Sequence, residues 1–229
     1  MIILSRASGK ISSDCDTGIR KRMGVWKVMN RCRWCNEKNP LYVRYHDEEW
    51  GVLRTDDAYL FEMLLLESFQ AGLSWECVLN KRENFRLAFD GFQPEKISRY
   101  DEEKVAALLG DPGIIRNRLK IRAAIRNSGI FLDIVEEYGS FYRYVCGFTG
   151  GGILRETGKS TNAWSDALSR DLRRRGMRFV GSTILYAWLQ AVGVIDSHEP
   201  GCDLAVRVQS DRTEGKSHAE QKAGQAGDL

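Results

Sequence analysis

The chain has 229 residues, of which 43% are hydrophobic and 28% charged, and its net charge is +3. A chain of this length and balance buries a core without disulfides, which excludes a stapled miniprotein and a fully disordered polyelectrolyte. No stretch approaches the roughly 20 apolar residues of a membrane-spanning helix, so no membrane partner is expected.

Residues 1–28 are polar, with six Lys/Arg, two Asp and one aromatic, and are expected to form a poorly ordered extension. Met1–Ser5 is too short an apolar run for a signal peptide. A reducing, cytoplasmic setting follows as the expectation. There Cys15, Cys32, Cys35, Cys77, Cys146 and Cys202 stay free or bind metal. Residues 29–202 are the dense part and are expected to be one domain. Residues 203–229 lack aromatics and are expected to be a disordered tail.

The pattern of the dense part is helical. Asp56 and Asp57 cap a helix running to about Gln70, with an apolar stripe of Leu60, Phe61, Leu64 and Leu65, and Gly72 breaks it. Trp75, Val78, Leu79, Arg82 and Phe85 predict a second helix. Asp101–Leu109 predicts a third, stopped by Gly110–Gly113. Ile114–Asn127 predicts a fourth, a fifth lies within Leu132–Gly147, and Trp164–Arg175 and Ser182–Val192 form a pair. Alternating strand patterns are scarce, and the class is all-α. Ile114–Asn127 carries five basic residues and no acid, and Arg170–Arg178 carries five arginines and one acid. One such run reads as a solvated helix face; two on one small domain favour a phosphate-facing surface.

Three constellations can carry chemistry. His198-Glu-Pro-Gly-Cys202 places an imidazole and a thiolate close enough for one ion, and Cys32, Cys35 and His46 lie near the domain's start. A structural zinc takes four N/S ligands. The set Cys32, His46, His198 and Cys202 would tie the two ends of the domain together, and a rival set takes Cys35 in place of Cys32. Second, Glu67 sits in the apolar segment Met63–Phe69, where a carboxylate costs desolvation unless it is paired. It is either salt-bridged to an arginine or lining a pocket. Trp34, Tyr42, Tyr45, Trp50 and Trp75 crowd the nearby sequence, and a flipped base is read by stacking between aromatics. Third, Gly176 and Gly181 bracket a short apolar turn before a helix starting at Ser182, a terminus suited to a phosphate.

Six blocks then appear in one order: Arg31–Trp34, Pro40–Gly51, Leu60–Glu67, Gln70–Trp75, Gly113–Arg118 and Phe179–Thr183. Together they resemble the 3-methyladenine DNA glycosylase I family, within the helix–hairpin–helix DNA glycosylases, over residues 29–202. The resemblance implies an all-α helix–hairpin–helix glycosylase fold and one structural zinc held by Cys32, His46, His198 and Cys202. It places the base-recognising carboxylate on Glu67 and the pocket aromatics on Tyr45 and Trp75, with Trp34, Tyr42 and Trp50 around them. It puts the loop that enters the vacated base stack on Ala71–Leu73, including Gly72. The DNA-binding hairpin falls on Gly176–Thr183, with Gly176, Arg178, Gly181, Ser182 and Thr183. Residues 1–28 and the tail have no counterpart in the family, and the segment between Cys32 and Pro40 is one residue longer than its pattern. The implied activity is base-excision repair: hydrolysis of the N-glycosidic bond of 3-methyladenine in alkylated double-stranded DNA, by a monomer. Thr161–Cys202 contains no lysine, so no Schiff-base strand cleavage is expected. Asp196 stands near the place where many helix–hairpin–helix glycosylases carry a catalytic Asp. It is retained as an outside candidate. A glycosylase for another lesion and a non-catalytic DNA-binding module are the alternative readings.

Overall fold

The computed structural model describes residues 29–205. The expected extension 1–28 and the part of the expected tail at 206–229 lie outside the described residues. Ten α-helices occur among the described residues: α1 Pro40–Arg44, α2 Asp57–Gln70, α3 Trp75–Leu79, α4 Arg82–Ala88, α5 Pro94–Ile97, α6 Glu102–Gly110, α7 Arg118–Tyr138, α8 Phe141–Thr149, α9 Ala163–Arg174 and α10 Ser182–Ala191. A π-helical turn, Tyr45–Glu49, continues α1. The strand content is one parallel bridge, β1 Leu154–Arg155 against β2 Ile195–Asp196. None of the described helices is long and apolar enough to cross a membrane.

The core is built around α2. Every residue from Tyr59 to Phe69 is buried, so this helix is enclosed on all sides rather than amphipathic. It packs against α7, α8 and α10. Asp56 caps it as expected, its side chain accepting from Tyr59 N (3.0 Å). Asp57 works across the fold: its carboxylate accepts the Phe141 N–H (2.9 Å) and joins the starts of α2 and α8.

Several boundaries differ from the sequence-based expectation. The second predicted helix is two, α3 and α4, separated at Asn80 and Lys81. The fourth starts at Arg118 rather than Ile114, because Asn117 is its cap and accepts from Leu119 N and Lys120 N. It then runs to Tyr138, through the start of the predicted fifth helix. Gly139 (φ 81°) ends it, and Ser140 caps α8. The domain continues past Cys202, since Leu204 and Ala205 are buried. Asp203 N donates to Asn30 O (2.9 Å) and Asn30 N to the Asp203 carboxylate (3.2 Å), which pairs the two ends of the domain.

The segment after the π turn straps onto the end of α10, with Gly51 N donating to Gln190 O and Arg54 N to Val192 O. The strap needs glycine at 193. Gly193 has φ 75°, and a Cβ there would lie 2.3 Å from the backbone at Val52 and Leu53. Gly193→Ala is expected to cost about 2–6 kcal/mol, combining roughly 1–3 from left-handed strain and 1–3 from overpacking. Thermal melting checks this; a variant melting with the wild type would show that the strap does not hold α10.

Candidate functional site

Residues of α1, the π turn, α2, α3, α10 and the segments after β1 and β2 line an open cavity of about 260 Å³, walled by Trp34, Tyr42, Tyr45, Trp50, Glu67, Gln70, Trp75, Thr157, Gly158, Ala187, Gln190, Ser197 and Glu199. All six aromatic and acidic residues singled out for the pocket converge on it. Glu67 reaches it from the last turn of α2. Tyr45 comes from the π turn, and Trp75 opens α3 behind its cap Ser74, whose side chain accepts from Cys77 N. The Tyr45 and Trp75 rings are 5.2 Å apart at 46°. Trp34 stands edge-on to Trp50 (4.7 Å) and tilted to Tyr42 (5.4 Å).

Glu67 is 3% exposed. No salt bridge involves it among the described residues, and its Oε2 is buried without a hydrogen-bond partner. Burial alone pushes its carboxyl up to about 8. Of the two readings left open for this residue, an arginine partner is therefore absent. Arg82 pairs instead with Glu49 and Glu62 (2.6 Å each). Trp75 Nε1 is a second buried polar atom without a partner. The cavity thus offers one unpaired acceptor and one unpaired donor between aromatic rings. Burial, and then the nearness of Glu67, keeps the Tyr45 hydroxyl protonated.

Behind this pocket lies a cluster of sulfur and imidazole. One ligand atom each from Cys32, His46 and Cys202 lies within 4.8 Å of the others, and all three residues are buried. The Cys32 N–H donates to His46 Nε2 (3.2 Å), which leaves Nδ1 to donate to Asp47 Oδ1 (2.8 Å). Asp47 is held by Arg31 (2.7 Å). His198 is turned the same way: Nδ1 bonds Asp196 Oδ1 (2.9 Å), and Nε2 is buried with no partner. Its ring stands edge-on to His46, with centroids 5.6 Å apart. His46 therefore keeps Nε2 unprotonated, and each histidine has a carboxylate on its Nδ1, the arrangement that metal-binding histidines use. The absence of Cβ at Gly51 makes room for this ring; a Cβ there would meet His198 Cε1 at 2.6 Å. Burial pushes the Cys32 thiol up to about 12, so without a cation Cys32 stays a neutral thiol. Cys35, the rival ligand, is outside the cluster, with its Sγ 3.8 Å from Tyr42 O. Asp196 does not line the cavity. It is 1% exposed, and its bonds to His198 hold its carboxyl low against the burial that raises it.

The other predicted elements sit outside the pocket. Gly72 and Leu73 form the turn after α2, and Leu73 is 42% exposed. Between α9 and α10 the turn carries Gly176 (φ 104°) and Phe179 (φ 54°). Gly181 caps α10 without a side-chain hydrogen bond. The Ser182 hydroxyl is occupied, bonding Asp166 and Ser165 of α9, so only backbone N–H groups and the exposed Arg178 and Thr183 remain for a ligand there. The basic runs are partly spent within the fold: Arg174 and Arg175 pair with Asp171, and Arg118 and Arg122 with Glu102. Arg122, Arg126 and Arg178 nonetheless meet around an open cavity of about 460 Å³ floored by Leu119, Ala123 and Phe179.

Sequence reasoning missed the far wall of the pocket. Thr157, Gly158, Ala187 and Gln190 carry no pattern that marks them. Ser197 and Glu199 had a usable signal, since in extended chain they point away from His198 between them.

The site is thus a cavity in a helical domain, walled by aromatic rings around one unpaired carboxyl, and comparison with known proteins gives its family. A family model described as methyladenine glycosylase matches residues 34–205. The chain is 46% identical over 181 residues to DNA-3-methyladenine glycosylase 1 of Escherichia coli, covering 76% of this chain and 96% of that protein. A crystal structure of 3-methyladenine DNA glycosylase I is similar with a TM-score of 0.72 at 44% identity, covering 76% of this chain and 98% of that one. A variant of 3-methyladenine DNA glycosylase I in complex with 3-methyladenine gives 0.73 at 31% identity, covering 76% and 97%. This chain belongs to the methyladenine glycosylase family.

Proposed function

We propose that the chain is a monofunctional DNA glycosylase that flips 3-methyladenine out of alkylated duplex DNA and hydrolyses its N-glycosidic bond. The observation that carries this reading is the unpaired Glu67 carboxyl in an aromatic cavity of about 260 Å³. Methylation at N3 makes the nucleoside cationic, and bond cleavage releases a neutral base, so the leaving group needs little acid help. The protein must select the cation and shelter it. Glu67 accepts from the amino edge of the base. The cation draws Glu67 into its ionised form, which neutral adenine cannot do. Stacking on Trp75 and Tyr45 adds about 0.5–2 kcal/mol of cation–π attraction. The chain is read as acting as a monomer.

DNA is held by the α9–α10 turn, read as a helix–hairpin–helix, with the Gly181, Ser182 and Thr183 backbone N–H groups and Arg178 facing phosphate. Leu73 and Gly72 fill the stack that the base has left. One zinc, bound by Cys32, Cys202, His46 and His198, is the structural cofactor. The clustered Cys32, His46 and Cys202 fit its preference for N and S ligands, and the orphaned His198 Nε2 supports the fourth.

Calorimetry with free 3-methyladenine should show one binding site, and adenine should bind far more weakly. Methylated duplex treated with the protein should gain abasic sites that stay uncut until alkali is added. No binding of 3-methyladenine, or strand breaks without alkali, would count against the reading.

A further inference from the structure

We infer that Lys120 is a positioning residue: its buried ammonium holds the 71–73 loop in register with the α9–α10 hairpin. The inference rests on the proposed DNA-bound roles of those two elements. Lys120 lies in the first turn of α7 and is 6% exposed. A buried lysine is costly unless its charge is answered, and no carboxylate answers this one among the described residues. Its Nζ instead donates to Phe69 O (2.7 Å) and Ala71 O (2.6 Å). These carbonyls belong to the C-terminal end of α2, where helix carbonyls lack partners and the macrodipole favours a cation. The ammonium therefore fixes the exit of α2, one turn beyond Glu67 and immediately before Gly72 and Leu73. Leu73 N donates back to Gln70 O (2.7 Å), so the loop is closed against the same helix end.

The same face of α7 grips the hairpin. Asn127 stands about two turns further along. Its side chain donates to Arg178 O (2.8 Å) and accepts from Arg178 N (2.9 Å). The ring of Phe179, the next residue, lies 6.0 Å from Lys120 Nζ. One rigid helix thus carries fixed contacts to both elements that would meet the DNA. A lesion can enter the pocket only if the loop fills the gap while the hairpin holds the strand. Lys120 sets the spacing between those two acts.

The test compares wild type with Lys120→Met, using Lys120→Gln where the methionine variant does not fold. Free 3-methyladenine should bind within about twofold of wild type, because Lys120 and residues 71–73 do not line the pocket. Excision from methylated duplex should fall by about ten- to a hundredfold, the worth of a charge-assisted hydrogen bond. Leu73→Ala should then have little further effect in the Lys120→Met background, as expected for residues acting through one element. Exchange of the Leu73 amide should rise about tenfold or more as the loop loosens. Unchanged excision and unchanged Leu73 exchange overturn the inference, as does an equal loss of free-base binding and excision, which marks general destabilisation. A wild type that neither binds the base nor excises it refutes the glycosylase reading instead, and the Leu73 exchange still decides whether Lys120 positions the loop.

Discussion

Glu67→Gln is expected to melt at or above the wild-type temperature and to lose about ten- to a hundredfold in excision of 3-methyladenine, the cost of one charged hydrogen bond. The two halves of that result come from one observation. A carboxylate paired with a buried arginine would leave an orphaned cation on substitution, at about 3–5 kcal/mol. Glu67 has no such partner, and desolvation alone sets its titration. Its folded-state carboxyl titrates near 8, above its ordinary 4.5, so the folded protein holds a proton that the unfolded chain has released. Stability should therefore fall as pH rises from about 4.5 to about 8, and the penalty should be complete above that window. Glutamine carries no charge and removes the window, so the variant should gain most over wild type at alkaline pH. Melting curves of both proteins across that range check the sign. The same proton leaves when the cationic lesion binds, so wild-type affinity for lesion-bearing DNA should rise with pH up to about 8, and the variant's should not.

Cys202→Ser is expected to lose zinc and to destabilise the domain by about 3–5 kcal/mol, the scale of breaking a buried charge cluster. For a domain of this size that is a fall in Tm of roughly 6–20 °C, at about 2–4 °C per kcal/mol. The loss is large because the cluster joins residues 32–46 to 198–202 across the whole domain. It also backs the pocket, with Trp50 edge-on to His198 at 4.7 Å. Elemental analysis should give about one zinc per chain in wild type and in Cys35→Ser. Acid should release the metal, because thiolates and neutral imidazoles are needed to hold it. Retention of zinc by Cys32→Ser together with its loss from Cys35→Ser would reverse the ligand choice.

The near wall of the pocket was legible in sequence because its residues break local rules. A glutamate inside an enclosed apolar helix and five aromatics within some forty positions both ask for an explanation that a core alone does not supply. His198 and Cys202 stood out in the sequence as an imidazole and a thiol four residues apart, and the structure buries both. The choice between Cys32 and Cys35 was not, since spacing does not say which way a thiol turns. The structure turns Cys35 toward Tyr42 O and Cys32 toward His46. The helix start at Asp56 was legible from its cap, and the start at Arg118 was missed because its cap, Asn117, lies inside a run that reads as helical from Ile114 on. Lys120 read as one more basic residue of an exposed run, because no local pattern reveals that the end of α2 would arrive above it. The far wall, at Thr157 and Gly158, depends on a two-residue bridge between β1 and β2, too short to leave a periodic signal.

The most direct measurement is chromatography of the bases released from methylated duplex DNA by the purified protein, with Glu67→Gln alongside. Wild type should release free 3-methyladenine with no added cofactor, and the folded variant should release it about ten- to a hundredfold more slowly. Release of no 3-methyladenine by wild type, or equal release by the two proteins, would contradict a glycosylase that reads its lesion through Glu67.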